Sequence, residues 1–132
     1  MQNPKQEIGI SSPAKLWLPP AGIALLILGL SSIPGKAFPA HPDFLNSVVH
    51  FGEFSVFSYL VARAFYLSST TNNMANLLMT CFFISVIFGT ATEIFQFAIP
   101  HRLFDPVDIL IDSLGALAGL LVFWGWVKVP DA

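Results

Sequence analysis

Charge is what this chain has least of. Only 11% of its 132 residues are Asp, Glu, Lys or Arg, against about a quarter in a typical soluble domain. Hydrophobic residues make up 55%, and the mean hydropathy is +0.70. Too few charged groups remain to coat a water-facing surface, so an integral membrane protein is expected. The six Lys and Arg residues are scattered along the chain and the formal net charge is -2. Without a basic stripe to neutralise phosphates, a nucleic-acid partner has no support. A single cysteine, Cys81, excludes an internal disulfide and a cysteine-based metal cage, and reads as an inert membrane-helix residue. Ser55, Ser58 and Ser113 lack a nucleophile elbow or triad arrangement, which leaves nucleophilic catalysis without a basis. Internal repeats and low-complexity tracts are also missing.

What the chain does have is long apolar runs. A length of 132 residues allows one domain and about four membrane-crossing helices of roughly 20 residues each. The expected fold is therefore all-α, a polytopic bundle of four transmembrane helices at about 16–33, 44–67, 75–99 and 108–127, within a single domain 1–132. The first run is free of charge, tolerates Pro19 and Pro20 in its opening turn, and is read as a retained span rather than a cleaved signal peptide. Pro100 stops the third. The fourth opens on an explicit start signal: Asp105 as N-cap, Pro106 at the first helical position, and Asp108 where it complements the positive end of the helix dipole. At its far end Trp124 and Trp126 suit an interfacial belt. Lys5, Lys15, Arg63 and Lys128 fall on one side of such a bundle, Lys36 and Arg102 on the other. That distribution favours cytoplasmic termini.

Six of the eight acids, Asp43, Glu53, Glu93, Asp105, Asp108 and Asp112, lie beside or inside these apolar runs. A charge in a bilayer costs a few kcal/mol or more, so such residues face a bundle interior and commonly serve a function. In alternating spans, the start of the second, the end of the third and the start of the fourth share one membrane face, and all six acids belong to those ends. At 100° per residue, Asp43, Asn46, His50 and Glu53 fall in one stripe about 80° wide. Ser85, Gly89, Glu93 and Gln96 form a second, and Asp108, Asp112, Gly115 and Gly119 a third, whose glycines allow close helix approach. By rise per residue, Glu53 lies about 15 Å and Glu93 about 10 Å inside the membrane boundary. The loop 100–106 caps this convergence and carries Arg102, the one permanent cation near the acids, with a fork suited to a carboxylate or phosphate.

These motifs resemble the VanZ-like family, membrane proteins named after an accessory protein of glycopeptide (teicoplanin) resistance. The resemblance rests on His50-Phe51-Gly52-Glu53-Phe54, on Glu93 and Gln96, on Pro100-His101-Arg102, and on Asp108, Asp112, Gly115 and Gly119, about half of the chain in all. Four residues depart from the family pattern: Asn46-Ser47 stand where Asp-Lys is frequent, Thr92 replaces an acid, and His101 replaces the glycine of Pro-Gly-Arg. The resemblance implies a protein of the bacterial cell membrane acting in the cell envelope.

The residues assign roles within that frame. His50, Glu53 and Glu93 are the candidates for proton transfer, while Gln96, Arg102, Asp108 and Asp112 are the candidates for binding an anionic lipid-linked or envelope headgroup. No metal ligands are assigned, for want of a tight ligand motif, and no organic cofactor is expected. An oxygen-rich set with imidazole would suit a divalent cation: Mg, Mn, Ca or, with His101 added, Zn. Membrane lipid and the subunits of a membrane complex are the expected partners. The contrasting reading is a small accessory subunit of such a complex, in which the polar residues form a packing network and carry no chemistry. An ion path ranks below both, since the spans are almost wholly apolar beyond Ser85 and Glu53.

Overall fold

A computed structural model describes residues 13–34, 43–69 and 73–128. The terminal tails, the connections at 35–42 and 70–72, and the side chain of Asp43 lie outside the described residues, and with them the expectations placed on Lys5, Lys36 and Asp43.

All the described secondary structure is helical. A 3-10 turn, Pro13–Trp17, leads into α1, Leu18–Ser31; then follow α2, Asp43–Ser68, α3, Met74–Phe97, and α4, Pro106–Lys128. Local chemistry accounts for the boundaries. Pro19 sits in the first turn of α1, where its missing N–H has no helical partner to lose. Asn73 caps α3 by accepting from the backbone N–H of Asn76 at 3.1 Å. Asp105 caps α4 as expected, its Oδ1 accepting from the N–H of Val107 at 2.8 Å, with Pro106 as the first helical residue.

Three of these helical segments are long and apolar enough to cross a membrane: Pro13–Ser31, Met74–Phe97 and Pro106–Lys128. The second helix has the length, 26 residues, but Asp43, His50, Glu53 and Arg63 dilute its apolar surface, and it does not reach the same standard. Its place in the bundle explains the difference. α2 packs against each of the other three helices, most closely against α4, whereas α1 and α4 do not touch among the described residues. A helix with neighbours on several sides can carry polar groups such as His50, Ser55 and Ser58 that those neighbours satisfy, while Phe44, Val48 and Val56 still face outward.

Close approach of α2 and α4 depends on the two glycines. A Cβ on Gly115 would overlap the carbonyl oxygen of Phe51, and one on Gly119 would overlap the Ser55 carbonyl and the Ser58 hydroxyl. Two serines stitch the seam: Ser55 Oγ donates to Gly115 O and Ser58 Oγ to Ala116 O, both at 2.9 Å. Beyond it lies an apolar core of Ile27, Phe54, Phe57, Val61, Leu77, Cys81, Leu120 and Phe123. Phe88 stacks on Phe57 with 4.8 Å between ring centroids, and Trp17 meets Phe65 edge-on at 4.9 Å, tying the N-terminal turn to the end of α2. Large apolar side chains such as Leu25, Ile87 and Leu121 point outward, the pattern that a lipid environment requires. Lys128 lies 3.7 Å over the Trp124 ring at the end of α4, a pairing suited to the membrane boundary.

Candidate functional site

The polar stripes converge at the end of the bundle where α2 and α4 start and α3 stops. On α3, Ser85, Gly89, Glu93 and Gln96 are all buried, as are Asp112, Gly115 and Gly119 on α4. On α2, His50 is buried and Glu53 half-buried.

His50 is the hub. Its Nδ1 lies 2.9 Å from Asp112 Oδ1, and Asp112 is 1% exposed. With Asp112 ionised, its oxygen only accepts, so Nδ1 carries the proton in this pair and Nε2 faces the rest of the site. Asp108 Oδ2 stands 3.7 Å from that Nε2, too far for a hydrogen bond. Asp108 is held instead by Asn46, whose Nδ2 donates toward Oδ2 and Oδ1 at 3.2 and 3.4 Å.

Glu93 enters from α3 and is fully buried. Its Oε2 accepts from the backbone N–H of Asp105 at 3.2 Å, so one residue serves twice: the Asp105 side chain caps α4 while its main chain holds Glu93. Three carboxylate oxygens in this region, Glu53 Oε1, Glu93 Oε1 and Asp112 Oδ2, are buried without a hydrogen-bond partner among the described residues. Buried acceptors are ordinarily paired, and an orphaned one costs about 1–3 kcal/mol. Three together mark a place where the fold alone does not complete the chemistry. Gly89 makes room for one of them, since a Cβ there would sit 3.0 Å from Asp112 Oδ2 and 3.2 Å from the Phe54 ring.

Of the residues assigned from sequence, the structure thus groups His50, Glu93, Asp108 and Asp112, with Glu53 one turn further along α2. One ligand-capable atom from each of His50, Glu93 and Asp108 lies within 4.8 Å of the others. Gln96 points elsewhere, its Nε2 donating to Ser31 Oγ at 3.0 Å between α3 and α1. The Arg102 Nε donates to the Ile33 carbonyl at 3.2 Å, which fastens the loop to the end of α1. Asn46, one turn before His50 on the same stripe, is a further site residue, and its position on that stripe is the sequence signal for it. Ser31 carried no sequence signal, because its contact with Gln96 links helices remote along the chain.

A model of the family described as VanZ/LLP1 matches residues 7–128. The chain belongs to the VanZ/LLP1 family. Comparisons with curated proteins and with solved structures gave no match. Family membership extends over nearly the whole chain, well past the half whose motifs carried the resemblance, and it takes in α1. The structure also explains one departure from the VanZ pattern. His101 has φ 63°, in the left-handed region that glycine enters without steric cost and other residues rarely occupy. A glycine in Pro-Gly-Arg suits that backbone, and in this VanZ/LLP1 member a histidine adopts the same turn.

Proposed function

We propose that this VanZ/LLP1 protein crosses the membrane of a bacterial cell four times and binds the polar headgroup of an amphipathic envelope molecule, a lipid-linked phosphate or similar anion, in the site around His50. The observation that carries this reading is the buried His50–Asp112 pair set beside the unpartnered oxygens of Glu93 and Glu53. A network serving packing alone would satisfy its acceptors internally, because the fold gains nothing from leaving them open in a medium without water. The location agrees with the role: three helix ends meet there, so a headgroup at the membrane face reaches the site while its apolar tail stays in lipid.

In this reading Asp112 fixes the imidazole so that Nε2 faces the bound group, and Glu93 presents its unpartnered Oε1 to the same space. Glu53 lines the deeper wall. Arg102 and Gln96 set the position of the loop and of α3 against α1, and the guanidinium supplies positive charge at the rim.

Native mass spectrometry of the full chain released from mild detergent tests the proposal. The expected result is an envelope lipid that stays bound to wild-type protein and is lost from His50→Gln, with both proteins equally folded. Wild-type protein that carries no such lipid, joined with a His50→Gln variant that loses only its association with other membrane subunits, would turn the assignment over to the accessory-subunit role.

A further inference from the structure

We propose that His50, Glu93 and Asp108 form a divalent-cation site, ligated through His50 Nε2, Glu93 Oε1 and one carboxylate oxygen of Asp108. One ligand-capable atom from each of the three residues lies within 4.8 Å of the others, and the His50 Nε2 to Asp108 Oδ2 distance is already 3.7 Å. Ligands about 2.1 Å from a tetrahedral ion stand about 3.4 Å apart, so closure around a metal asks for small side-chain movements and leaves the backbone in place.

Proximity of acids alone would not support a metal; the second observation is the state of Glu93. The residue is 0% exposed. One of its oxygens is taken by the Asp105 N–H, while the other, Oε1, is buried with no hydrogen-bond partner among the described residues. A fully buried carboxylate oxygen without a donor is the acceptor that a cation completes.

Each of the three ligands is also oriented from behind. His50 Nδ1 lies 2.9 Å from Asp112 Oδ1, and an ionised Asp112 accepting the Nδ1–H selects the tautomer whose Nε2 lone pair is available. The Asp105 amide holds Glu93. The Asn46 amide holds Asp108 at 3.2 Å. Such outer contacts accompany metal-ligating histidines and carboxylates as a rule. One imidazole with two carboxylates favours Mn2+ or Zn2+ over Mg2+ and Ca2+, which take all-oxygen sets. Three protein ligands leave coordination positions open for an oxygen of an exogenous group. This inference deepens the headgroup reading and rests on it for biological purpose, because the ion supplies the positive charge that an acid-lined site needs before it can accept an anion; the metal site itself is tested separately.

The test uses the full chain in mild detergent, stripped with a chelator and titrated with MnCl2 or ZnCl2 alone by calorimetry, with Mn2+ electron paramagnetic resonance as the second readout. One equivalent is expected to bind, to raise the unfolding temperature of wild-type protein, and to be removed by chelator. Asp108→Asn, nearly isosteric and at a half-buried position, is expected to weaken binding at least tenfold, and Glu93→Gln likewise. Asp112→Asn, behind His50, is expected to weaken it about 10–100-fold. Folded wild-type protein that binds neither ion saturably would overturn the proposal, as would binding left unchanged by both Asp108→Asn and Glu93→Gln. The wild-type titration stands even if a variant fails to fold. Metal bound with no envelope lipid retained would sink the headgroup reading alone, and lipid retained by metal-free protein that binds no ion would sink the metal site alone.

Discussion

His101 shows how much one residue can reveal about a turn. At φ 63° an L side chain is strained by about 1 kcal/mol or more relative to a right-handed conformation, and the turn places Arg102 so that its Nε reaches Ile33. Replacing His101 with Gly is expected to stabilise the protein by about 0.5–1 kcal/mol, the gain being partly offset by the greater freedom of glycine in the unfolded chain. A rise in the thermal midpoint in detergent checks this, and a fall would mean that the imidazole makes contacts worth more than the strain. His50 is a different case. Its position on a polar stripe was readable from spacing alone, but its pairing with Asp112 was not, because 62 residues separate them and only the contact between α2 and α4 brings them together. Arg102 is similar. Its place beside the acids was readable in the sequence, but the bond from its Nε to the Ile33 carbonyl just past α1 was not, because a backbone carbonyl remote along the chain carries no residue-specific mark.

At the scale of elements, the α2–α4 seam governs the site, since His50 and Asn46 come from one helix and Asp108 and Asp112 from the other. Of the two seam glycines, Gly119 leaves the less room for a side chain. Gly119→Leu is expected to cost about 3 kcal/mol or more through overpacking, whereas Gly125→Leu, on the same helix with nothing within 4 Å of its added Cβ, should leave stability within about 0.5 kcal/mol. Parallel unfolding curves for the two variants decide it, and equal effects would deny the seam its importance. Element boundaries were largely legible beforehand. The Asp105–Pro106 start of α4 is a local signal, written in residues that satisfy the helix's own first N–H groups, and the structure uses it as read. The double duty of Asp105 was hidden, because its backbone N–H carries no residue-specific mark that would pair it with Glu93.

For the whole molecule, the open question is how α2 sits in the membrane, given that three other segments have the length and apolarity to cross it. A four-span topology puts Lys36 and Leu103 on one side and Thr71 on the other. In a background where Cys81 is replaced by Ala, membrane-impermeant thiol labelling of intact cells is therefore expected to modify Lys36→Cys and Leu103→Cys from the same side, with Thr71→Cys labelled from the opposite one. If α2 does not cross, Lys36→Cys and Thr71→Cys will label together. The crossing is favoured by the position of α2 against all three neighbours, which gives His50, Ser55 and Ser58 partners on α4 that lipid cannot.

Sequence by itself determined the class of protein, the number and ends of the helices and the polar faces of the second, third and fourth. These are local properties: apolar run length, capping chemistry and periodicity are set by residues within a turn or two of one another. Tertiary structure alone decided which helix lies in the centre, which polar groups pair, and which are left open. Those outcomes depend on interhelical distance and on competition among acceptors, and a change of an ångström at Gly115 or Gly119 would redirect His50, Asp108 and Asp112 without altering any local signal.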